Sequence, residues 1–116
     1  MPNVKAETVE TLRGIATARP SVIESLLGME LDNLEDSGLD PRAYALVRLA
    51  TLIALDAPPA SYRAPVDFAL AAGVSAEEIT GVLIAAAPQV GIPRCVAIAP
   101  ELMIAMGVSF EEEAGR

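Results

Sequence analysis

The chain has 116 residues, 53% of them hydrophobic and 3% aromatic, with 16 acidic side chains against 8 basic ones, a single cysteine and no histidine. That length suits one domain over residues 1–116, able to build a core without disulfides. The composition excludes imidazole-based catalysis, His-ligated metal and an intrachain dithiol couple, so no metal or cofactor is expected.

The pattern along the chain is helical throughout, and six segments are expected. The first runs from Ala6 to Ala18 and stops before Arg19-Pro20, because the residue preceding a proline is biased away from helix. Ser21 then has Glu24 three residues on, in capping-box spacing, and opens a second segment with apolar positions Val22, Ile23, Leu26, Leu27 and Leu31. Glu35-Asp36-Ser37-Gly38 reads as a surface loop. Asp40-Pro41 supplies an N-cap and a proline at the first helical position for the third helix, LDPRAYALVRLATLIAL. That helix is apolar nearly all round, with one stripe of Tyr44, Arg48, Thr51 and Leu55 carrying its polar atoms.

A fourth helix starts late, near Ala64 or Pro65, and ends at Ala72-Gly73, where glycine suits the left-handed cap position. Ser75-Ala76-Glu77-Glu78 is a second capping box and opens the fifth helix. Its core face is Ile79, Val82, Leu83, Ala86 and Val90, with Gly81 and Ala85 offering close backbone approach on the other side. Pro88 is expected to bend or end it. The sixth begins at Gly91-Ile92-Pro93 and reaches Met106-Gly107, with Pro100 predicting a kink or two short helices. No β-branched alternation or hairpin dipeptide supports a sheet, and 21 alanines favour closely packed helices.

Residues 1–40 hold eight acids and three bases, and residues 111–116 form an acidic tail. No Lys/Arg stripe offsets this acidity, so nucleic acid is not an expected partner. Arg48, Asp56, Gln89 and Arg94 interrupt the apolar runs before they reach the length of a membrane span. No signal-peptide pattern opens the chain, which with the free thiol predicts a cytoplasmic protein away from membranes. So apolar a small domain must cover part of its surface, and association with further copies of itself is the simplest means.

The segment from residue 39 to residue 93 resembles the carboxymuconolactone decarboxylase and alkyl hydroperoxidase D family. The likeness lies in the Leu-Asp-Pro helix start, the Ala-Ala-Gly end followed by a Glu-Glu-Ile helix, and the Gly-x-Pro restart. It implies an all-α domain that assembles as a trimer or hexamer, with a small-molecule pocket between helices near the subunit boundary. The family's hydroperoxidase chemistry does not carry over residue by residue. Its two cysteine positions fall on Pro58 and Ser61, its histidine position on Pro65 and its glutamate position on Ala45, give or take one residue of register. Peroxidase and disulfide reductase mechanisms are thereby excluded. The lactone decarboxylase branch also places a histidine where Pro65 stands.

The polar residues that remain near the implied pocket each have two readings. Arg48 can grip a substrate carboxylate bidentately, or pair with an acid such as Asp67 or Asp56. Asp67 is a base if desolvated, or a first-turn acid favoured by the helix dipole. Tyr62 and Arg63 either line an entrance that binds an anion or aromatic ring, or form an exposed loop tip. Gln89 and Arg94 flank a helix start whose amides can hold an anion, or serve as structural caps. Cys95 is a reactive first-turn thiol or a small buried hydrophobe, and Met103 and Met106 are filler for core or interface.

Three functions follow, the last of them a purely structural or protein-interaction module whose subunits have no cavity large enough for a ligand. The first is a homo-oligomer without thiol redox chemistry that binds a small apolar or carboxylated molecule between its helices. The second is a non-redox lyase, isomerase or cyclase with Arg48 as carboxylate anchor and Asp67 or Tyr62 as acid or base, which requires Arg48 and Asp67 to face one cavity.

Overall fold

The computed structural model describes residues 3–26 and 30–109. They are all-helical and group into two compact units, residues 1–39 and 40–116. The tail at 111–116 lies outside the described residues. In the first unit, α1 (Ala6–Ala16), α2 (Pro20–Leu26) and α3 (Glu30–Ser37) follow one another. The second unit contains α4 (Pro41–Ala54), a 3-10 turn (Pro59–Ser61), α5 (Arg63–Ala71), α6 (Ala76–Val90) and α7 (Ile92–Ala105).

In the first unit the sequence pattern and the structure differ in four places, the first being that the second segment, read as continuous through Leu31, is divided between α2 and α3. The α1 helix ends at Ala16, two residues early, because the chain turns there with Ala18 in the left-handed region at φ 53°. The amides of Ala18 and Arg19 donate back to Ile15 and Gly14 at 3.1 and 2.8 Å, closing a Schellman motif. Pro20 rather than Ser21 opens α2, since a proline in the first turn forfeits only an amide that has no helical partner; the Glu24 side chain lies outside the described residues. Glu35, Asp36 and Ser37 belong to α3 and not to a loop. Only Gly38, at φ +73°, breaks the helix, while the Ser37 hydroxyl donates to Leu34 and accepts from the Leu39 amide.

The second unit follows the sequence more closely. Asp40 accepts from the Ala43 amide at 2.8 Å and Pro41 takes the first helical position. Ser75 and Glu78 form the reciprocal capping box, each bond 3.0 Å. At the end of α5, Gly73 adopts φ +90° and the Val74 amide reaches back to Ala69. The α5 helix starts at Arg63, just ahead of the expected place, after the 3-10 turn.

Neither proline ends its helix: α6 runs through Pro88 to Val90, and α7 runs through Pro100 as one helix and not two. Each proline removes one helical bond, to Ile84 and to Val96 respectively. Both of those residues lie on the outer face of their helix, where water can satisfy the carbonyl. Gly81 likewise admits no close neighbour, because a Cβ built there meets nothing within 4 Å.

The core of this unit is a single cluster. Ala45, Leu49 and Ile53 of α4, at i, i+4 and i+8, meet Val66 and Ala69 of α5, Ile79 of α6, and Ile98 and Leu102 of α7. Val82, Leu83, Ala86 and Val90 pack against it as the α6 periodicity predicts, joined by Met106. Tyr62 is the largest side chain in the cluster and is 1% exposed.

Two substitutions test the first unit. Ala18→Gly relieves the left-handed alanine and should raise stability by about 0.5–1 kcal/mol. Gly14→Ala should lower it by about 1–3 kcal/mol, because a Cβ there would sit 2.6 Å from the stiff Val22 side chain. Urea denaturation followed by circular dichroism reads both.

Candidate functional site

The site is set by two helices that run in the same direction. Near their N-termini, Arg42 of α4 forms an ion pair with Glu78 of α6, the same Glu78 that completes the capping box. At their C-terminal ends, Arg94, which follows α6 by four residues, donates from Nη1 to the Ala54 carbonyl at 2.6 Å. With both ends joined like to like, α4 and α6 are parallel, and residues 42 and 78 set a register of 36.

An open apolar groove of about 390 Å³ follows this pair. Leu46, Ala50 and Ala54 of α4 line it opposite Val82, Ala86 and Val90 of α6, each pair again 36 apart, and Ala85 and Gln89 complete the α6 side. Alanine at facing positions leaves the space that larger side chains would fill. Gln89 is the one polar side chain in this lining. Its side-chain amide folds back to within 2.9 and 3.2 Å of the carbonyls of Ala85 and Ala86, and the need for a donor there assigns the amide nitrogen to that position.

A second depression, of about 480 Å³, lies beside the start of α4, over Phe68, Ala71 and Ala72. Its polar groups are already committed. Asp40 caps Ala43 and Arg42 pairs with Glu78, while Phe68 meets Tyr44 edge-on at 6.3 Å. The α4–α6 groove is therefore the better candidate for a ligand.

The sequence candidates do not converge on either depression. Tyr62 is neither an entrance residue nor a loop tip. It closes the core, and its hydroxyl donates to the Leu52 carbonyl at 3.2 Å. Burial pushes its pKa above the ordinary 10.0, the nearby Asp56 carboxylate adds to the rise, and Arg94 works against it. Such a phenol is held protonated and inward. Asp67 and Arg63 pair with each other one helical turn apart at 3.5 Å, both well exposed. Arg48 is half-buried on α4, and neither it nor Asp67 lines either depression. Cys95 is half-buried in the first turn of α7.

Arg94 has a structural task that accounts for its position. The last four carbonyls of α4 all find donors: Thr51 from Leu55, Leu52 from Ala57 and Tyr62, Ile53 from Asp56, and Ala54 from Arg94. Asp56 holds the left-handed position of this cap at φ 54° and lies 4.0 Å from Arg94 Nε. A cation here also suits the negative end of the helix.

Of the four positions onto which the family's reactive residues would map, two are buried by packing. Ala45 is 1% exposed, Pro65 is buried in the first turn of α5, Ser61 is half-buried in the 3-10 turn and Pro58 is exposed before it. None of the four lines either depression. The Arg42–Glu78 clamp and the α4 alanines Ala50 and Ala54 were not singled out from sequence, and Ala85 and Ala86 were read as packing positions rather than as groove lining. Nothing local marks them, since the signal is the constant spacing of 36 between two helices.

Comparison with known proteins agrees with this architecture. The carboxymuconolactone decarboxylase family model matches residues 20–102, and the chain belongs to that family. No curated protein and no solved structure matches it. Among the described residues no helix is long and apolar enough to cross a membrane, and no group of three or more acidic or cysteine side chains is placed to hold a metal ion.

The Tyr62 environment makes a pH-dependent prediction. Because folding raises its pKa, the folded state holds the phenolic proton more tightly than the unfolded chain does. That contribution is intact below the ordinary value of 10.0 and is lost as pH rises through the folded value. Tyr62→Phe should cost about 1 kcal/mol at neutral pH, for the bond to Leu52. It should also flatten the loss of stability that is expected above pH 10 in urea titrations of the parent protein.

Proposed function

We propose that this protein is a carboxymuconolactone decarboxylase-family homo-oligomer, a trimer or hexamer, that holds a small and largely apolar molecule and has no thiol redox chemistry of its own. The observation that carries this reading is the groove between α4 and α6, about 390 Å³ and lined by apolar side chains except for Gln89. Its volume falls within the range of small-molecule sites.

The outer faces of the same helices support assembly. Val47 of α4, Leu55 at its C-cap, Ile84 of α6, and Ile92, Val96 and Ile104 of α7 are each between 55 and 72% exposed. Apolar residues repeated at helical spacing on several helices favour burial against another copy. The absence of redox chemistry rests on composition: one cysteine supplies no partner thiol, and no histidine stands ready to activate it.

Native mass spectrometry tests both parts. The expected spectrum is a trimer or hexamer carrying a small bound mass. Ala85→Phe, which fills the groove from its rim, should abolish the extra mass and keep the assembly. Val96→Glu should shift the distribution toward smaller species. A monomeric parent protein would defeat the assembly reading, and a bound mass that survives Ala85→Phe would place the ligand elsewhere.

A further inference from the structure

The first helix carries a face that its own unit leaves uncovered. Every residue of α1 is exposed except Gly14, which packs against Val22 of α2. On the side of the helix away from Gly14 stand Val9, Leu12 and Ala16, spaced i, i+3 and i+7 as one stripe, with Leu12 58% exposed. The two flanks of this stripe differ. One carries Glu10 and Arg13, both more than half exposed and paired with each other, while the other carries Thr8 and Ile15 and no charge. The helix also lies outside residues 20–102, which match the family model, so the shared fold does not account for the stripe.

We propose that α1 pairs antiparallel with α1 of a second copy, and that this contact joins two trimers into a hexamer. The inference rests on the trimer-or-hexamer reading above and names the surface that distinguishes the two. Charge selects both the partner and the direction. A two-fold axis crossing a helix pair at right angles brings each flank against the same flank of the other copy, so a flank that carries both signs is complementary to itself. With the axis between residues 11 and 12, Glu10 of each helix meets Arg13 of the second copy. Leu12 then meets its own copy beside the axis, and Val9 seats between Leu12 and Ala16 of the second copy. A parallel pair would set the charged flank against Thr8 and Ile15 and lose both ion pairs. The stripe of an 11-residue helix buries too little to hold two free chains together. Between two trimers, however, three such contacts form at once, and the first makes the others effectively intramolecular.

The test is light scattering on size-exclusion fractions of the full-length chain, at one protein concentration throughout. The parent protein should be hexameric. Glu10→Arg and Arg13→Glu each give the flank a single sign, and both should halve the assembly to trimers, as should Leu12→Glu. An equal mixture of Glu10→Arg and Arg13→Glu should recover the hexamer, because trimers of the two kinds present flanks of opposite sign. Mixing cannot restore the pair between positions 10 and 13 within either chain, so the recovery reads only the contact between copies. The double variant with both charges exchanged should be hexameric again, which separates loss of the contact from loss of the helix. Hexamers in the single variants, a mixture that stays trimeric, or a trimeric parent would overturn the α1 pair and leave the assembly reading standing. A dimeric parent that Leu12→Glu dissociates would support the pair and defeat the trimer-or-hexamer reading, and a monomeric parent would defeat both.

Discussion

The parallel pairing of α4 with α6 is the constraint from which the rest of the second unit follows. Two consecutive antiparallel helices can be joined by a short turn, but a parallel pair needs the chain to travel back to its starting end. Here that return is α5, and its inward residues Val66 and Ala69 cover the α4 face that carries Ala45, Leu49 and Ile53. The pair is fastened at both ends by arginine, and the two fastenings differ in kind. Arg42 with Glu78 is a half-exposed ion pair whose contribution is a fraction of a kilocalorie, of the order of 0.5 kcal/mol. Arg94 on Ala54 is a charge-assisted bond to a carbonyl that has no helical donor, and its guanidinium is about one third exposed. Register is therefore set more firmly at the C-terminal end, beside Gln89.

Family membership by itself fixes no chemistry. Ala45 is 1% exposed and lies in one apolar cluster with Leu49, Tyr62 and Val66, and Pro65 is buried in the first turn of α5. The Tyr62 ring fills space there, and its hydroxyl is turned to a backbone carbonyl rather than to a cavity. An open groove runs along the neighbouring face of α4, where Leu46, Ala50 and Ala54 border it together with α6.

Features decided by local chemistry were legible in the sequence. The Asp40-Pro41 start, the Ser75 capping box and the Gly73 cap each depend on residues within one turn, and each is present as read. Features decided by neighbours distant in sequence were not. Pro88 and Pro100 break helices only when the freed carbonyl cannot be satisfied, and whether Ile84 and Val96 face outward depends on the packing of α6 and α7. Tyr62, followed by arginine in a proline-rich stretch, reads as loop surface until Leu52 is brought beneath it. The candidate site was the least legible part. Helical periodicity says which face of α4 holds Ala50 and Ala54, but not which helix lies opposite.

The Leu52 carbonyl accepts from both the Ala57 amide, at 3.1 Å, and the Tyr62 hydroxyl, at 3.2 Å. One oxygen thus ties together three points spread over ten residues, and the connection between α4 and α5 is closed on itself by hydrogen bonds. When the Ala57 amide opens for exchange, the Tyr62 hydroxyl can still hold this carbonyl, so the cap that frays there keeps an anchor in the buried ring. The loop and the core consequently form one cooperative unit, whose slowest opening is governed by the core rather than by the exposed prolines between them.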